Sequence, residues 1–240
     1  MNYLALDAST EACSVALEVN GKMYSHFELC PQSHSLQLLP MIDGLLKEAG
    51  IKLADLDGLI FGQGPGSFTG VRIGVGVAQG LAFSANLPVV GVSSLQAMAQ
   101  AAFIKQGETK VIATIDARMA EVYNGYFELD EHNIMQAQLA EAVTPPEQFA
   151  EHLAKQLPRV INDTFYAVGT GWDAYPTELG EKLLSLKTNQ ASPEILFPSA
   201  EAMLVIGKGK LTQGQGVSAE NAQPVYVRDT VSWKKLPGKE

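Results

Sequence analysis

What this chain has little of narrows its chemistry first. Its 240 residues contain two cysteines, Cys13 and Cys30. They could pair in principle, but two cysteines in a chain of this length do not make the disulfide framework of a secreted scaffold. Four histidines (His26, His34, His132 and His152) are scattered without an HxxxH or HExxH pattern, so no metal-ligating set presents itself. His34, beside a helix start, reads as a cap or surface residue rather than a ligand. Bases are outnumbered, 17 Lys and Arg against 26 Asp and Glu, for a net charge of -9. Phosphate affinity comes mostly from clustered Lys and Arg, and no basic run precedes Lys234-Lys235, so autonomous nucleic-acid binding is a poor fit. The N-terminus lacks a signal peptide's basic start and long apolar core, and no run of ~18 apolar residues occurs. A soluble, cytoplasmic protein without membrane contact is expected. Hydrophobic content of 46% and charged content of 18% still allow a real core in one domain or two modest ones.

What is plentiful is glycine, and its densest stretch is LIFGQGPGSFTGVRIGVGVAQG, from Leu59 to Gly80. An apolar strand ends in Gly62, Gly64, Pro65 and Gly66, and a helix follows that Ser67 or Thr69 can cap. Gly66, Gly70, Gly74, Ala78 and Ala82 recur every four residues, and Gly76, Gly80 and Ser84 form a second small row. Residues four apart share a helix face, so this side is nearly bare backbone. Each interior Gly costs about 0.8–1 kcal/mol against Ala, so another backbone lying close must offset the loss. That backbone is either the protein's own sheet or a second subunit, with phosphate binding as a third reading. A phosphate loop of the GxxxxGK[ST] kind is excluded, because no Gly-Lys pair occurs in this stretch. The dinucleotide fingerprint fails where an acid should end the next strand, which instead runs into Ser93 and Ser94. Ser67 does not fit a GxSxG nucleophile elbow.

Read in order, residues 2–8 form a strand ending at Asp7, Ser9 and Thr10. Two more strands follow around the turn Asn20-Gly21, then a helix with Leu38, Leu39, Ile42, Leu45 and Leu46 at helical spacing, stopped by Gly50. Pro40 should restart or kink that helix. The order β-β-β-α-β-α-β is the ribonuclease H-like arrangement of sugar kinases, actin and Hsp70 chaperones. A nuclease of this fold needs gathered carboxylates, and the strand at 58–62 ends without one. A kinase of this fold uses a first-strand Asp and a hydroxyl-bearing turn for Mg-phosphate, so DASTEA either keeps half of that apparatus or merely shapes a hairpin. The second half reads as a reduced repeat. Strands are expected at 110–116, 121–129, 134–142 and 165–168, a helix begins at Thr144 and Pro145, and helices span 175–186 and 200–211. Asp116 and Arg118 fall at a strand end, as a salt-bridged turn or as an Arg presented to a phosphate or carboxylate. Domains are expected at 1–103 and 104–211, with 212–240 a mobile link and tail, and Trp233 either the tail's anchor or an exposed aromatic.

The segments DASTEACSVAL, HSLQLLPMI, GPGSFTGVRIG, GLAF and DARMAEVY resemble the bacterial TsaB (YeaZ) family. The resemblance runs through most of the first half and on to Tyr123. It implies an α/β protein of actin-like, sugar-kinase-like (ribonuclease H-like) fold with two βββαβα-type lobes. It also implies a role in making N6-threonylcarbamoyladenosine at position 37 of tRNAs that read codons starting with A. Members are not themselves the transferase, so no catalytic residue is expected. They pair with the related catalytic subunit TsaD, the ATPase TsaE joins that pair, and tRNA is met only through the complex. The catalytic relative's two metal-binding histidines match Ser94 and Met98 here, neither a competent hard-metal ligand, so no metal is expected. The family's dimer face implies an interface of His34, Leu38, Leu39, Ile42, Phe68, Gly70, Val71, Arg72, Gly74, Val75 and Ala78. Self-association through this face should compete with the heterodimer. Gly74→Leu is then expected to leave the monomer folded and abolish pairing. Asp7, Ser9, Thr10, Asp116 and Arg118 are candidate contacts to the partner or to ATP or ADP at the interface, with no cofactor bound tightly. The alternative is an independent ATP-dependent small-molecule kinase, for which Gly169-Thr170-Gly171-Trp172 is a weak relic of a second loop. An older peptidase label among relatives finds no nucleophile-base pair here, and a structural adaptor unrelated to tRNA would pair without affecting modification.

Overall fold

Asn20 and Gly21 take positive φ angles of 50° and 84°, the conformation that lets a two-residue turn match strand twist. Around it, β2 (Ala12–Val19) and β3 (Lys22–Leu29) pair from Val19 opposite Lys22 to Ala12 opposite Leu29. A computed structural model describes residues 1–158, 163–183 and 193–228 of the chain. In it β1 (Asn2–Asp7) runs antiparallel to β2 and parallel to β4 (Gly58–Gly64). With β5 (Val89–Ser93) the first sheet has the order β3-β2-β1-β4-β5, the ribonuclease H-like arrangement. Helices α1 (His34–Ala49) and α2 (Phe68–Ala85) cover one face over a core that includes Leu4, Leu6, Val15, Leu17, Leu38, Ile42, Val71 and Val75. Gly50 ends α1 in the left-handed region and its amide returns to the Leu46 and Lys47 carbonyls. Pro40 does not restart the helix. It sits on the exposed side, where the Leu36 carbonyl it displaces can turn to water.

The helix α3 (Ser94–Gln106) follows β5 directly and leads to a second sheet. Here β6 (Lys110–Asp116) pairs with β7 (Val122–Leu129), β7 with both β8 (Met135–Ala137) and β9 (Ala142–Thr144), and β10 (Tyr166–Val168) lies parallel to β6. The order β10-β6-β7-β8 repeats four strands of the first sheet, which makes the actin-like pair of lobes. The single strand expected at 134–142 is two pieces, because the bend between them carries Glu141 to Ser93 in the first lobe. Helix α4 (Pro146–Gln156) starts one residue later than expected. Thr144 is not its cap, since its hydroxyl accepts instead from Asn124 Nδ2 at 3.0 Å. The helix expected at 175–186 is α6 (Pro176–Leu183), with 184–186 outside the described residues, and a short α5 (Gly171–Ala174) that was not expected precedes it.

The helix α7 (Ala200–Thr212) belongs to the first lobe rather than the second. Ala200, Met203, Leu204 and Ile206 pack on Tyr3, Ala5, Ile60 and Val92, the sheet face opposite α1 and α2. Residues 213–228, expected as a mobile link and tail, also lie on this lobe. Val217 bridges to Val89, Ala219 and Ala222 are buried in its core, and the Val225 amide donates to Gln63 O at 2.8 Å. Trp233 lies outside the described residues. No helix among the described residues is long and apolar enough to cross a membrane.

Candidate functional site

The two lobes face each other through the turns that follow β1 and β6. In the first, Ser9 donates to the Asp7 carboxylate through its amide (3.2 Å) and its hydroxyl (3.1 Å), and Ser9 Oγ lies 2.8 Å from Ser94 Oγ. Asp7 Oδ1 has no hydrogen-bond partner. Burial pushes the Asp7 carboxyl up to about 7, against the two Ser9 hydrogen bonds that favour its charged form. Thr10 meets a different group: its carbonyl accepts from His34 Nε2 at 2.6 Å. The walls of this pocket are glycine because nothing larger fits. A Cβ at Gly62 would lie 1.9 Å from Asp7 Oδ1, one at Gly66 2.1 Å from Ser9 O, and one at Gly70 2.1 Å from Ala8 O. Ser67 donates its amide to Ser9 O at 2.7 Å and caps α2 by accepting from the Gly70 amide at 3.3 Å.

The close approach that Gly66 and Gly70 allow is therefore to the chain's own turn. The inward row continues through Gly74, Ala78 and Ala82 into the core, and a Cβ at Gly74 would meet Ala8 and Leu6. Gly74→Leu is thus corrected to a packing lesion rather than an interface one. His34, Leu38, Ile42, Gly70, Val71, Gly74, Val75 and Ala78, expected at an interface, are buried within the monomer. Leu39, Phe68 and Arg72 stand at the surface. The second row is the open one, with nothing among the described residues within 4 Å of a Cβ at Gly76 or Gly80. Beside it Phe83 is 80% exposed and Phe68 68%, and on α1 Leu36 is 74% exposed. Leu36 and Phe83 escaped the sequence reading because each breaks the apolar spacing of its helix, which was itself the signal. Arg72 lies over the Phe68 ring at 3.2 Å and within 4.9 Å of the Tyr226 ring, so the segment that carries Tyr226 touches this face.

In the second turn Arg118 donates its amide and Nη1 to Asp116, each at 2.9 Å, and Nη2 reaches Glu11 of the first turn at 3.5 Å. Tyr175 donates to Asp116 Oδ1 at 3.3 Å, and the Asp116 amide donates to Thr170 Oγ1 at 3.3 Å. Arg228 binds Glu121 and the Ala117 carbonyl, closing the turn from the C-terminal side. Between the lobes lies an open cleft of about 530 Å³ with Gln63, Ser93, Gln96, Glu141 and Tyr226 on its walls. Arg118 lies outside this cleft's walls and is engaged by two carboxylates, Asp116 and Glu11. Gly169 and Gly171, the remnant second loop, are set against Thr114 of their own sheet, where a Cβ at Gly169 would lie 2.0 Å from the Thr114 carbonyl.

Residues 27–235 match the family model described as TsaD, tRNA N6-adenosine threonylcarbamoyltransferase. The chain is 48% identical over its full length to all of a tRNA threonylcarbamoyladenosine biosynthesis protein TsaB of Escherichia coli. It is 43% identical, again over its full length and 99% of the relative, to the protein of the same name from Haemophilus influenzae. Among solved structures, YeaZ from Pseudomonas aeruginosa superposes with a TM-score of 0.81 at 44% identity, covering 94% of this chain and 99% of that one. With two lobes of ribonuclease H-like order and the GPGSFTGVRIG turn closed over Asp7, the chain belongs to the TsaB (YeaZ) family within the TsaD-type proteins.

Proposed function

We propose that this chain is the non-catalytic partner of a TsaD-type transferase, required for N6-threonylcarbamoyladenosine formation at position 37 of tRNAs reading codons that start with A. The observation that carries the proposal is the outer face of α1 and α2. Leu36, Leu39, Phe68 and Phe83 are exposed there beside the bare backbone of Gly76 and Gly80. Large apolar groups on a surface that also admits close backbone approach suit a protein partner better than water. The same face would serve the homodimer, which then competes with the heterodimer. A non-catalytic role is supported at the start of α3. Ser94 is bonded to Ser9, and Met98 is buried with its methyl group 3.2 Å from where a Gly169 Cβ would be. Neither supplies the ligand pair expected of the transferase. ATP or ADP would sit at the seam with the partner and take its cationic contacts there. TsaE would join the pair, tRNA would bind through the complex, and the work would be cytoplasmic. The independent kinase reading gains no support from the second loop, whose glycines serve the chain's own packing.

The test is threonylcarbamoyl transfer to unmodified tRNA by purified TsaD and TsaE supplied with threonylcarbamoyl-adenylate, run with and without this chain. Modification should appear only when the chain is added, and none should come from the chain alone. Equal modification in both reactions would end the proposal.

A further inference from the structure

Cys13 and Cys30, which have no part in either site above, are drawn together with His34 where the first hairpin meets α1. Cys13 pairs with Glu28, and the Cys30 amide donates to Glu11 O at 3.0 Å, so the two cysteines stand two residues apart on one face of the hairpin. That is the face α1 covers. His34 is the first residue of α1, and the short C-x3-H link brings its ring within reach of the two thiols. One ligand atom from each residue lies within 4.8 Å of the other two. Both cysteines are free, and the three residues are buried at 0%, 5% and 9% exposure.

The hydrogen bond of His34 gives this cluster its direction. Its Nε2 lies 2.6 Å from the Thr10 carbonyl. A carbonyl oxygen only accepts, so Nε2 is the donor, and in the neutral ring Nδ1 keeps its lone pair. A backbone carbonyl holding one ring nitrogen while the other stays free is how proteins orient metal-ligating histidines. We propose that Cys13, Cys30 and His34 form a binding site for one thiophilic d10 cation, Zn²⁺, held by the two sulfurs and Nδ1.

Charge selects the ion. Two thiolates and a neutral imidazole bring Zn²⁺ to zero net charge, which suits a buried site, whereas Cu⁺ on the same ligands would leave an uncompensated negative charge. Loading releases the two thiol protons to solvent and needs no oxidant. Burial raises the Cys13 thiol above its ordinary value. Zinc ligands about 2.3 Å from the metal stand ~3.8 Å apart in a tetrahedron, so the cluster closes by small side-chain rotations. No fourth His, Cys, Asp or Glu joins it among the described residues, which leaves the last position to water or a main-chain oxygen. The metal would tie β2 and the end of the hairpin to the start of α1.

The experiment is a Co²⁺ titration of the full-length protein, reduced and freed of metal. The expected result is one Co²⁺ per chain with a thiolate-to-cobalt charge-transfer band and the intense visible bands of a tetrahedral ion, all displaced by Zn²⁺. Adding Zn²⁺ should raise the melting temperature, and a chelator should reverse it. His34→Ala and Cys30→Ser should each weaken Co²⁺ binding at least tenfold. The wild-type spectrum carries the result even if a variant fails to fold. A weak octahedral spectrum would overturn the proposal. So would an unchanged spectrum in Cys30→Ser, or a Cys13–Cys30 disulfide found by mass spectrometry after alkylation of the protein purified from a reducing cytoplasm.

Discussion

Strands β1 and β6 end in the same pair, Asp-Ala, yet the two aspartates sit in opposite surroundings. Asp7 is 1% exposed, has one oxygen without a partner, and holds a proton up to about pH 7. Asp116 keeps an 18% exposed side chain and is satisfied by the Arg118 amide and guanidinium and by the Tyr175 hydroxyl. The cause lies in neither turn. Gly62 near the end of β4 and Gly66 and Gly70 after it let an 18-residue helix close backbone-to-backbone over Asp7. After β10 come Gly169 and a helix of four residues that starts at Gly171, and these two glycines pack against Thr114 instead. The second turn stays open to water and is balanced by charge. What a strand-end carboxylate can do is decided by the glycines that follow a different strand.

The largest expected effect comes from removing the fit over the first turn. Gly70→Val places a Cβ where Ala8 O already lies 2.1 Å away, so the turn or the helix must move. Overpacking of this kind costs about 3 kcal/mol or more, read as a fall in the urea midpoint. Asp7→Asn should act next, and with pH. The folded pKa near 7 exceeds the unfolded value of about 3.9, so between those values only the folded state keeps the proton. Wild-type stability should therefore fall by a few kcal/mol as pH rises from about 4 to 7, and then level off. The asparagine variant lacks that slope and should gain on the wild type at pH 8 relative to pH 5. Parallel urea midpoints for the two proteins across this range would show that Asp7 is not buried as a proton carrier.

Gly80→Leu probes the outer row of the same helix. Its Cβ meets nothing among the described residues, and leaving glycine in a helix interior gains about 0.8 kcal/mol, so the melting temperature should hold or rise slightly. Association with the TsaD-type partner, followed by gel filtration, should be lost. If pairing survives, the outer face is not the interface, and the contrast between the two rows is one of packing only.

The first sheet was legible because each of its signals is local: Asn20-Gly21 fixes a register, Gly50 ends a helix, and Ser67 caps one. A spacing of four residues told that one side of α2 is bare backbone. It could not tell that the partner is the Ala8–Ser9 backbone of the same chain, since that depends on how deep the helix sits. The lobe of α7 was hidden because its sequence is apolar on several sides. Met203 faces the first sheet while Ala202 packs toward α3 and the second lobe. The Cys13, Cys30 and His34 cluster was within reach, because the Asn20-Gly21 register already places both cysteines on one hairpin face. Only the approach of the His34 ring to them required the fold.

Arg118 gives the smallest effect and the sharpest test of the contrast between the turns. Its side chain is 76% exposed, and its pairs with Asp116 and Glu11 are those of a surface ion cluster. Such pairs contribute about 0.2–1 kcal/mol, so Arg118→Ala should shift the urea midpoint only slightly. The backbone sets a second expectation. Arg118, Met119 and Ala120 all take positive φ, at 61°, 57° and 59°, a conformation that costs an ordinary residue about 1 kcal/mol and glycine almost nothing. Arg118→Gly should therefore be at least as stable as Arg118→Ala, although it frees the unfolded chain more. If the alanine variant instead loses well over 1 kcal/mol, the ion pairs are holding a strained turn in place. The second aspartate would then depend on Arg118 as the first depends on its glycines.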